Sequence, residues 1–459
     1  MATQARPQSS GAAKPRPQLL QAAIAAVQQP DIREKLLFTF AMLVIFRFVA
    51  NIPVPGINPV ALDSLFQRST VLGFLNIFSG GALQNMSVAA MGVYPYITAS
   101  IVMQLMVPIV PTLQALSKEG EQGRKQINIY THWMAVPMAF VQAYGQLIIV
   151  QSQGGISGIS LTGANALPTL SAVITMTAGT MFLVWIGELI SEKGIGNGIS
   201  VMIFAGIIAG LPQLIVGRLY SGTGESLGVT VILIAMMCGL IAYIVVFQEA
   251  VRRIPVQYSR SVFRSGRMYR QSGATHIPLK VNTTGMIPLI FAFSIIIFPA
   301  FIGQVFSSSS NGALADFGDL LQTVFDPGNF GYWIFVFVTT VIFTFFYTMV
   351  IFQQQNLAEN LQKQGGFVPG IRPGRPTEQY INRVLFRITW AGAFFLGSVA
   401  VIPFIFSHVL GANSFGGSQR ATAFGITSSG LIIVVGVVLD TLRQIEAQLM
   451  MRQYEGFIR

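Results

Sequence analysis

The sequence predicts an all-α membrane protein with ten transmembrane helices, and three observations lead there. Hydrophobic residues make up 52% of the chain and charged residues only 10%, against about 25% charged in an ordinary soluble domain. The mean hydropathy is +0.61. The apolar residues come in long unbroken runs near the ~20 residues that a helix needs to cross a bilayer. A membrane β-barrel would show short alternating segments instead. Finally, the basic residues are sorted by side, as described below.

The chain begins with residues 1–18, rich in Pro, Gln, Ala and Ser and carrying Arg6, Lys14 and Arg16. This composition reads as a disordered tail. It has no apolar core followed by a small-residue cleavage site, so no secretory signal peptide is predicted. Leu19 to Lys35 reads as an amphipathic helix on the membrane surface, interrupted at Pro30. Ten spans follow, at 36–52, 91–110, 127–150, 169–190, 199–217, 229–249, 285–305, 331–352, 388–410 and 425–441. With the N-terminus in the cytoplasm, 24 of the 28 Lys and Arg residues fall on the cytoplasmic side. Arg68, Arg218 and Arg420 lie outside, and Arg47 lies within the first span. The positive-inside rule produces this asymmetry only when the spans are correctly counted. Both termini are therefore expected in the cytoplasm.

The external connections, Asn51 to Ser69, Gln151 to Pro168, Phe306 to Phe330 and Gly411 to Thr422, are polar and weakly charged. Two cytoplasmic loops, within 250–284 and 353–387, are long and basic. The domain plan is a tail and surface helix at 1–35, five spans in 36–217, five more in 218–441, and a C-terminal tail at 442–459. Ten spans permit two halves of opposite orientation, but no convincing repeat stands in the sequence.

One stretch does not fit a simple span. Val71 to Phe78 is apolar but far too short to cross, stops at Ser79-Gly80-Gly81, and a full span resumes after it. Non-helical backbone survives at membrane depth only inside protein or along a water-filled cavity. The stretch is either an element seated in a cavity or a short helix on the membrane surface, and the residues alone favour neither.

The chemistry is notable for what it lacks. Buried ionisable groups in a membrane mark function by default, and the midplane of these spans holds almost none. Arg47 lies near the outer end of its span, where it is expected to snorkel to the headgroups. Glu188 and Glu249 sit at cytoplasmic ends, where solvation at the interface is the simple account. This pattern counts against a small-solute secondary transporter, the runner-up reading. His132, His276 and His408 are scattered, with His132 and His408 separated by most of the roughly 30 Å hydrocarbon core. That disfavours an intramembrane hydrolase, and no enzyme activity, cofactor or metal site is expected. Gly194-Ile195-Gly196-Asn197-Gly198 follows a span instead of a strand, so it reads as a tight helix–helix turn and not a phosphate loop. The single cysteine, Cys238, excludes an intrachain disulfide and leaves the redox compartment open. In the first basic loop Arg252, Arg253, Arg260, Arg264, Arg267 and Arg270 interleave with Tyr258 and Tyr269. Such a pattern suits RNA phosphates with base stacking, or an acidic protein surface. Topology alone recruits arginines to such loops, but some thirty residues exceed that need, which favours docking.

A series of motifs then carries a resemblance: FRFVANIPVPGIN, NIFSGGAL, PYITASIVMQLM, KEGEQGRKQI, GTMFLVWIGELISEKGIGNGIS, FAGIIAGLP, THIPLKVN, GMIPLIFA and FVPGIRPGRPTEQYI. In this order, from about Leu36 to the C-terminus, the chain resembles the SecY family, the channel-forming subunits of the bacterial protein translocase. The first 18 residues fall outside the resemblance. It implies two five-helix halves, an inverted pseudo-repeat, around an hourglass pore closed by a plug helix at about 71–82. Leu75, Asn76, Ile77, Phe78, Ser79, Gly80 and Gly81 match that plug. The pore ring implied is Val93 and Ile97 in the second span, Ile203 in the fifth, Ile290 in the seventh and Ile433 in the tenth. Valine at 93, where isoleucine is usual, implies a slightly looser seal. A lateral gate is implied between the second and seventh spans, with Thr98 and Phe298 facing each other. Gln104 adds a polar group that, if buried, finds a partner in only one gate state. Arg252, Arg253, Arg264, Arg267 and Arg372 are the implied docking residues for the ribosome and for the SecA motor ATPase. Further implied partners are SecE, SecG, signal sequences, nascent polypeptides, membrane lipids and an accessory insertase. The implied location is the bacterial cytoplasmic membrane.

Overall fold

The computed structural model describes residues 29–54, 76, 79–152, 165–219, 226–264, 267–282, 285, 287–307, 312–326, 329–355, 357–363, 365–409 and 418–455. It is mostly helical. In chain order the helices are α1 Pro30–Val49, α2 Tyr94–Ile109, α3 Pro111–Lys118, α4 Glu121–Ser152, α5 Ala166–Lys193, α6 Gly198–Leu219 and α7 Ser226–Glu249. After two strands come α8 Ile287–Ser307, α9 Gly312–Val324, α10 Phe330–Gln355, α11 Leu357–Lys363, α12 Arg375–Val409 and α13 Ser418–Glu455. Each predicted span falls on one of these helices. Among the described residues α4, α5, α10 and α12 are long and apolar enough to cross a membrane, and the bent pair α2–α3 makes a fifth. The apolar parts of α6, α7 and α8 are shorter, at Gly198–Gly210, Ile234–Glu249 and Ile287–Ile296.

Prolines set two boundaries. Pro30 opens α1 at its first turn, where a missing N–H costs nothing. It therefore starts the first described helix, and residues 31–35 belong to α1, while 19–28 of the predicted surface helix lie outside the described residues. Between α2 and α3 the axis turns by 96°. Val110 is extended there, at φ −93° and ψ 115°, as expected for a residue before a proline.

The helices are sorted inside out relative to a soluble bundle. On α4, Thr131, Ala135, Ala139 and Ala143 are buried at a spacing of four, while Trp133 and Val141 on the other side are largely exposed. Small residues let helices approach closely where lipid offers no hydrophobic contrast. Gly179 on α5 takes this further: a Cβ there would stand 2.7 Å from the carbonyl carbon of Val88. Buried hydroxyls bond within their own helix. Thr340, Thr344 and Thr348 on α10 each donate to the carbonyl four residues back, at 2.6–2.7 Å.

Two departures from the predicted plan matter. The first basic loop is a β-hairpin, with β1 Val251–Arg264 antiparallel to β2 Arg267–Lys280. β3, Gly366–Phe367 of the second basic segment, adds to β1 opposite Gln257 and Tyr258, giving the order β2-β1-β3. The chain is thus not purely α. Ile254 and Val256 alternate inward on β1 and pack with Leu279, Leu361, Val368, Ile381 and Leu385, which is how a half-buried strand earns its place. The second departure is α9, in what the sequence presented as a polar connection. It folds back on α8 through glycines: a Cβ on Gly303 would lie 2.9 Å from Leu321 Cβ.

The close approach at Gly179 yields a test. Gly179→Val overpacks this contact and is expected to cost about 1–3 kcal/mol, read as a lower Tm of the purified protein in detergent. An unchanged Tm would mean that α5 and Val88 are not in contact.

Candidate functional site

Residues 79–93 connect α1 to α2 as a succession of turns, not a helix, and are almost entirely buried. Val54 N donates to Met86 O and Val88 N to Ile52 O, both at 2.9 Å, around an antiparallel bridge between Pro53 and Ser87. Met86 accepts a φ of +39° to make this block. The block delivers Val93 as the residue preceding α2, with Ile97 one turn on. Val93, Ile97, Ile203 and Ile433 are buried in a single apolar cluster, and half-buried Ile290 packs against it. Four separate elements, the start of α2, α6, α8 and α13, thereby contribute to one apolar locus.

Of the predicted plug residues, Leu75, Ile77 and Phe78 lie outside the described residues. Asn76, Ser79, Gly80 and Gly81 form a helix-ending turn. Gly81 N donates to Asn76 O at 2.8 Å, with Gly80 at φ +70°, the bond that closes a Schellman motif. Ser79 Oγ donates to Asn76 O at 3.0 Å and accepts from Leu83 N at 3.1 Å. Arg47 does not reach toward headgroups as expected: its guanidinium donates to Gly80 O. Nothing in the spacing of residues 47 and 80 announces this pairing.

Of the predicted gate residues, Thr98 and Gln104 are described and bond to different neighbours. Thr98 accepts from Gln142 Nε2 of α4 at 3.2 Å. Gln104 Nε2 donates to Ser100 Oγ at 3.2 Å, while its Oε1 is buried without a hydrogen-bond partner among the described residues. The side chain of Phe298 lies outside the described residues. A contact missed by the sequence reading joins the same two helices: Tyr94 OH of α2 donates to Ser294 O of α8 at 3.3 Å. The available signal was a tyrosine in an apolar span, since a buried phenol needs a partner. Farther along, Tyr96 OH donates to Asn128 Oδ1 at 3.1 Å, and Asn128 Nδ2 to Glu188 Oε1 at 3.2 Å. His132 Nε2 stands 2.9 Å from the same carboxylate oxygen. Glu188 is therefore a partner of His132, not merely solvated.

The docking arginines do not form one patch. Arg252 and Arg253 are exposed at the base of the hairpin, opposite Leu279 and Pro278, whereas Arg264 pairs with Arg267 at its far end. Fourteen residues per strand separate the two pairs by about 40 Å. Arg372 is exposed in the turn before α12, where its carbonyl accepts from Thr377 Oγ1 at 2.8 Å. The glycine-rich turn after α5 is the tight connection expected: Ile195 N donates to Thr39 Oγ1 at 3.3 Å and Gly196 N to Gln444 Oε1 at 2.9 Å. Beside it opens a cavity of about 310 Å³ whose lining mixes Asn197, Lys280, Asp440 and Arg443 with Val437 and Ala447. Arg443 Nη2 bonds Glu249 Oε1 at 2.7 Å, so Glu249 too is paired. Burial first, and then the charge of Arg443, lower the pKa of Lys280, against the pull of Asp440 and Glu249.

The SecY family model matches residues 87–442. The protein translocase subunit SecY of Halalkalibacterium halodurans is 41% identical over 441 residues, covering 94% of this chain and 97% of that protein. The chain belongs to the SecY family. The fold agrees. A solved SecY structure, described as one whose plug domain stabilises the closed state of the translocation channel and maintains a membrane seal, aligns with a TM-score of 0.62. It covers 92% of this chain and 93% of the other at 17% identity. Sec61 in the canine ribosome-channel complex from the endoplasmic reticulum aligns at 0.57, with 17% identity and the same coverage.

The α2–α8 contact predicts a clean pair of variants. Tyr94→Phe keeps the ring and loses the hydroxyl, and is expected to cost about 0.5–1.5 kcal/mol in thermal unfolding. Ser294→Ala keeps the accepting carbonyl and is expected to change nothing. Equal behaviour of the two variants would exclude the bond.

Proposed function

We propose that this chain is a protein-conducting channel that passes unfolded secretory polypeptides across the membrane and releases transmembrane segments sideways into lipid. Beyond membership of the SecY family, the observation that supports the reading is that Val93, Ile97, Ile203 and Ile433 all belong to one extended apolar core, against which Ile290 packs. A narrow apolar constriction dewets and so blocks ions. It makes no demand on the side-chain chemistry of a passing chain, and branched aliphatic residues close around an extended peptide. On this reading the two halves form an hourglass pore, and the turn at Asn76–Gly81 ends the plug that stoppers it.

The lateral gate runs between α2 and α8. Support comes from the polar groups that gather on α2: Tyr94 toward Ser294, Thr98 toward Gln142, and the unpartnered Oε1 of Gln104. A buried amide oxygen lacking a partner is costly, so a gate position that supplies one is favoured. The sequence carries no G-x-x-x-x-G-K-[ST] loop, and on this reading the energy for transport comes from ribosomal synthesis or an ATP-driven motor. The excess of basic residues on one side supports cytoplasmic termini and a cytoplasmic sheet. On that side the hairpin and the Arg372 turn form the docking surface for the ribosome and the motor SecA, with SecE and SecG as membrane partners. The canine relative in a ribosome-channel complex supports the ribosome in that role.

Two experiments test this. A photo-crosslinker at Ile97 or Ile290 is expected to capture a stalled secretory polypeptide, while one at lipid-facing Trp133 does not; capture at Trp133 alone would sink the pore assignment. For docking, Arg264→Glu with Arg267→Glu at the hairpin tip is expected to weaken ribosome binding at least tenfold and to flatten its dependence on salt. Arg252→Glu with Arg253→Glu, at the base, is expected to do much less. The reverse order would move the contact to the base of the hairpin.

A further inference from the structure

We propose that α9 is an interfacial helix, seated in the headgroup boundary of the leaflet remote from the basic sheet, where it moors the far end of α8 to the membrane surface. The inference needs α8 and α10 to span the bilayer, and draws on neither the pore nor the gate.

α8 starts on the side of the sheet, shortly after β2, and runs for 21 residues. That is about 30 Å at the helical rise, so α9 lies toward the opposite face of the bundle. At about 100° per residue, the 13 residues of α9 sort into three sides. Gly318, Leu321 and Gln322 face α8. A Cβ on Gly318 would stand 2.7 Å from Gly303 O, and Gln322 Nε2 donates to Ser307 Oγ at 2.8 Å. The second side carries Asp316, Asp319 and Thr323, all exposed. The third carries Phe317, Leu320 and Val324, which are 49%, 58% and 55% exposed. Packing on α8 therefore leaves two sides of α9 uncovered, one acidic and one apolar.

The neighbours indicate what covers the apolar side. Phe317 meets Phe306 of α8, with ring centroids 6.4 Å apart. Just past α9, Phe325 packs edge-on against Phe335 of α10 at 5.5 Å. Along α10 itself Phe330, Ile334 and Val338 stand exposed, on a helix long and apolar enough to cross a membrane. The apolar surface begun on α9 is thus continued by the lipid-facing side of a span.

An apolar side next to an acidic one suits a helix lying in the membrane surface, where acyl chains cover the first and water the second. Interfacial helices that bind from solution use Lys and Arg to find anionic lipid. α9 has neither, and carries Asp316 and Asp319 instead. It needs no such attraction because α8 delivers it to the surface, and its charge fits a zwitterionic headgroup layer. Depth is fixed, since lifting α9 would expose Leu320 and Val324 to water. Sliding within the membrane plane changes no burial, so α8 can shift sideways at this end but not sink or rise.

The test uses the complete translocase in phosphatidylcholine nanodiscs, which leave both faces open to solvent. With Cys238→Ser as background, Leu320→Cys, Val324→Cys and Asp319→Cys each carry one environment-sensitive fluorophore, and an unchanged Tm checks folding. Lipids with a nitroxide near the headgroup end of the acyl chain are expected to quench the probes at 320 and 324 at least twofold more than the one at 319. Aqueous iodide is expected to show the opposite order. Exchanging part of the lipid for anionic phosphatidylglycerol is expected to bring no deeper seating. Iodide reaching position 320 as readily as 319 would put the apolar side in water and overturn the proposal. Protection of 320 and 324 from both quenchers would assign that side to another protein, which overturns it equally. So would stronger quenching by a nitroxide at the middle of the acyl chain, because α9 would then be inserted and not interfacial.

Discussion

A backbone amide carried away from water must find its partner inside the protein, and that constraint governs this molecule most visibly where it is not helical. Residues 79–93 run largely buried between α1 and α2 without helical bonds, yet many of their amides find partners close by. Ser87 N finds Ala82 O, Ala90 N finds Ser87 O, and Gly92 N finds Ala89 O, while Ile52 and Val54 supply the bridge to α1. Internal pairing of this kind is what irregular backbone needs where water is excluded. It also fixes where α2 starts, and so delivers Val93 and Ile97 into the extended apolar core to which α6, α8 and α13 also contribute.

The same constraint explains the polar side chains. On α10 the hydroxyls of Thr340, Thr344 and Thr348 are absorbed by their own helix. On α2 the polar groups instead reach neighbours: Tyr94 to α8, Tyr96 and Thr98 to α4, and through Asn128 to Glu188 of α5. Each such contact is worth little alone, and together they give α2 bonds that can be exchanged as its neighbours move. The alanine stretch of α4, Ala135, Ala139 and Ala143, offers no such bonds to exchange.

Outside the bundle, two basic segments far apart in sequence become one body. β3 pairs with β1, and the apolar residues beneath the sheet come from the hairpin, α11 and α12. The sheet holds the hairpin as an extended arm, with its arginines at both ends, and sets the Arg372 turn near its base. Charge alone would have allowed two floppy loops.

How much of this stood in the sequence follows from the range over which each signal acts. Hydropathy is a sum over neighbours along the chain, so the helices at all the predicted spans, the turn at Gly194–Gly198 and the break at Gly80-Gly81 were legible. The hairpin was not, because its arginines masked the alternation of Ile254 and Val256, and its burial depends on Leu361, Ile381 and Leu385 more than a hundred residues away. The family motifs named Val93, Ile97, Ile203, Ile290 and Ile433, but no spacing could bring them together. Arg47 with Gly80, Tyr94 with Ser294 and His132 with Glu188 likewise have no sequence signature. Composition and local pattern determined by themselves that the chain lives in a membrane as packed helices, since lipid acts on each segment separately. Which buried polar group meets which partner was decided only by the tertiary structure, because a hydrogen bond depends on ångström distances between elements that the sequence leaves unrelated.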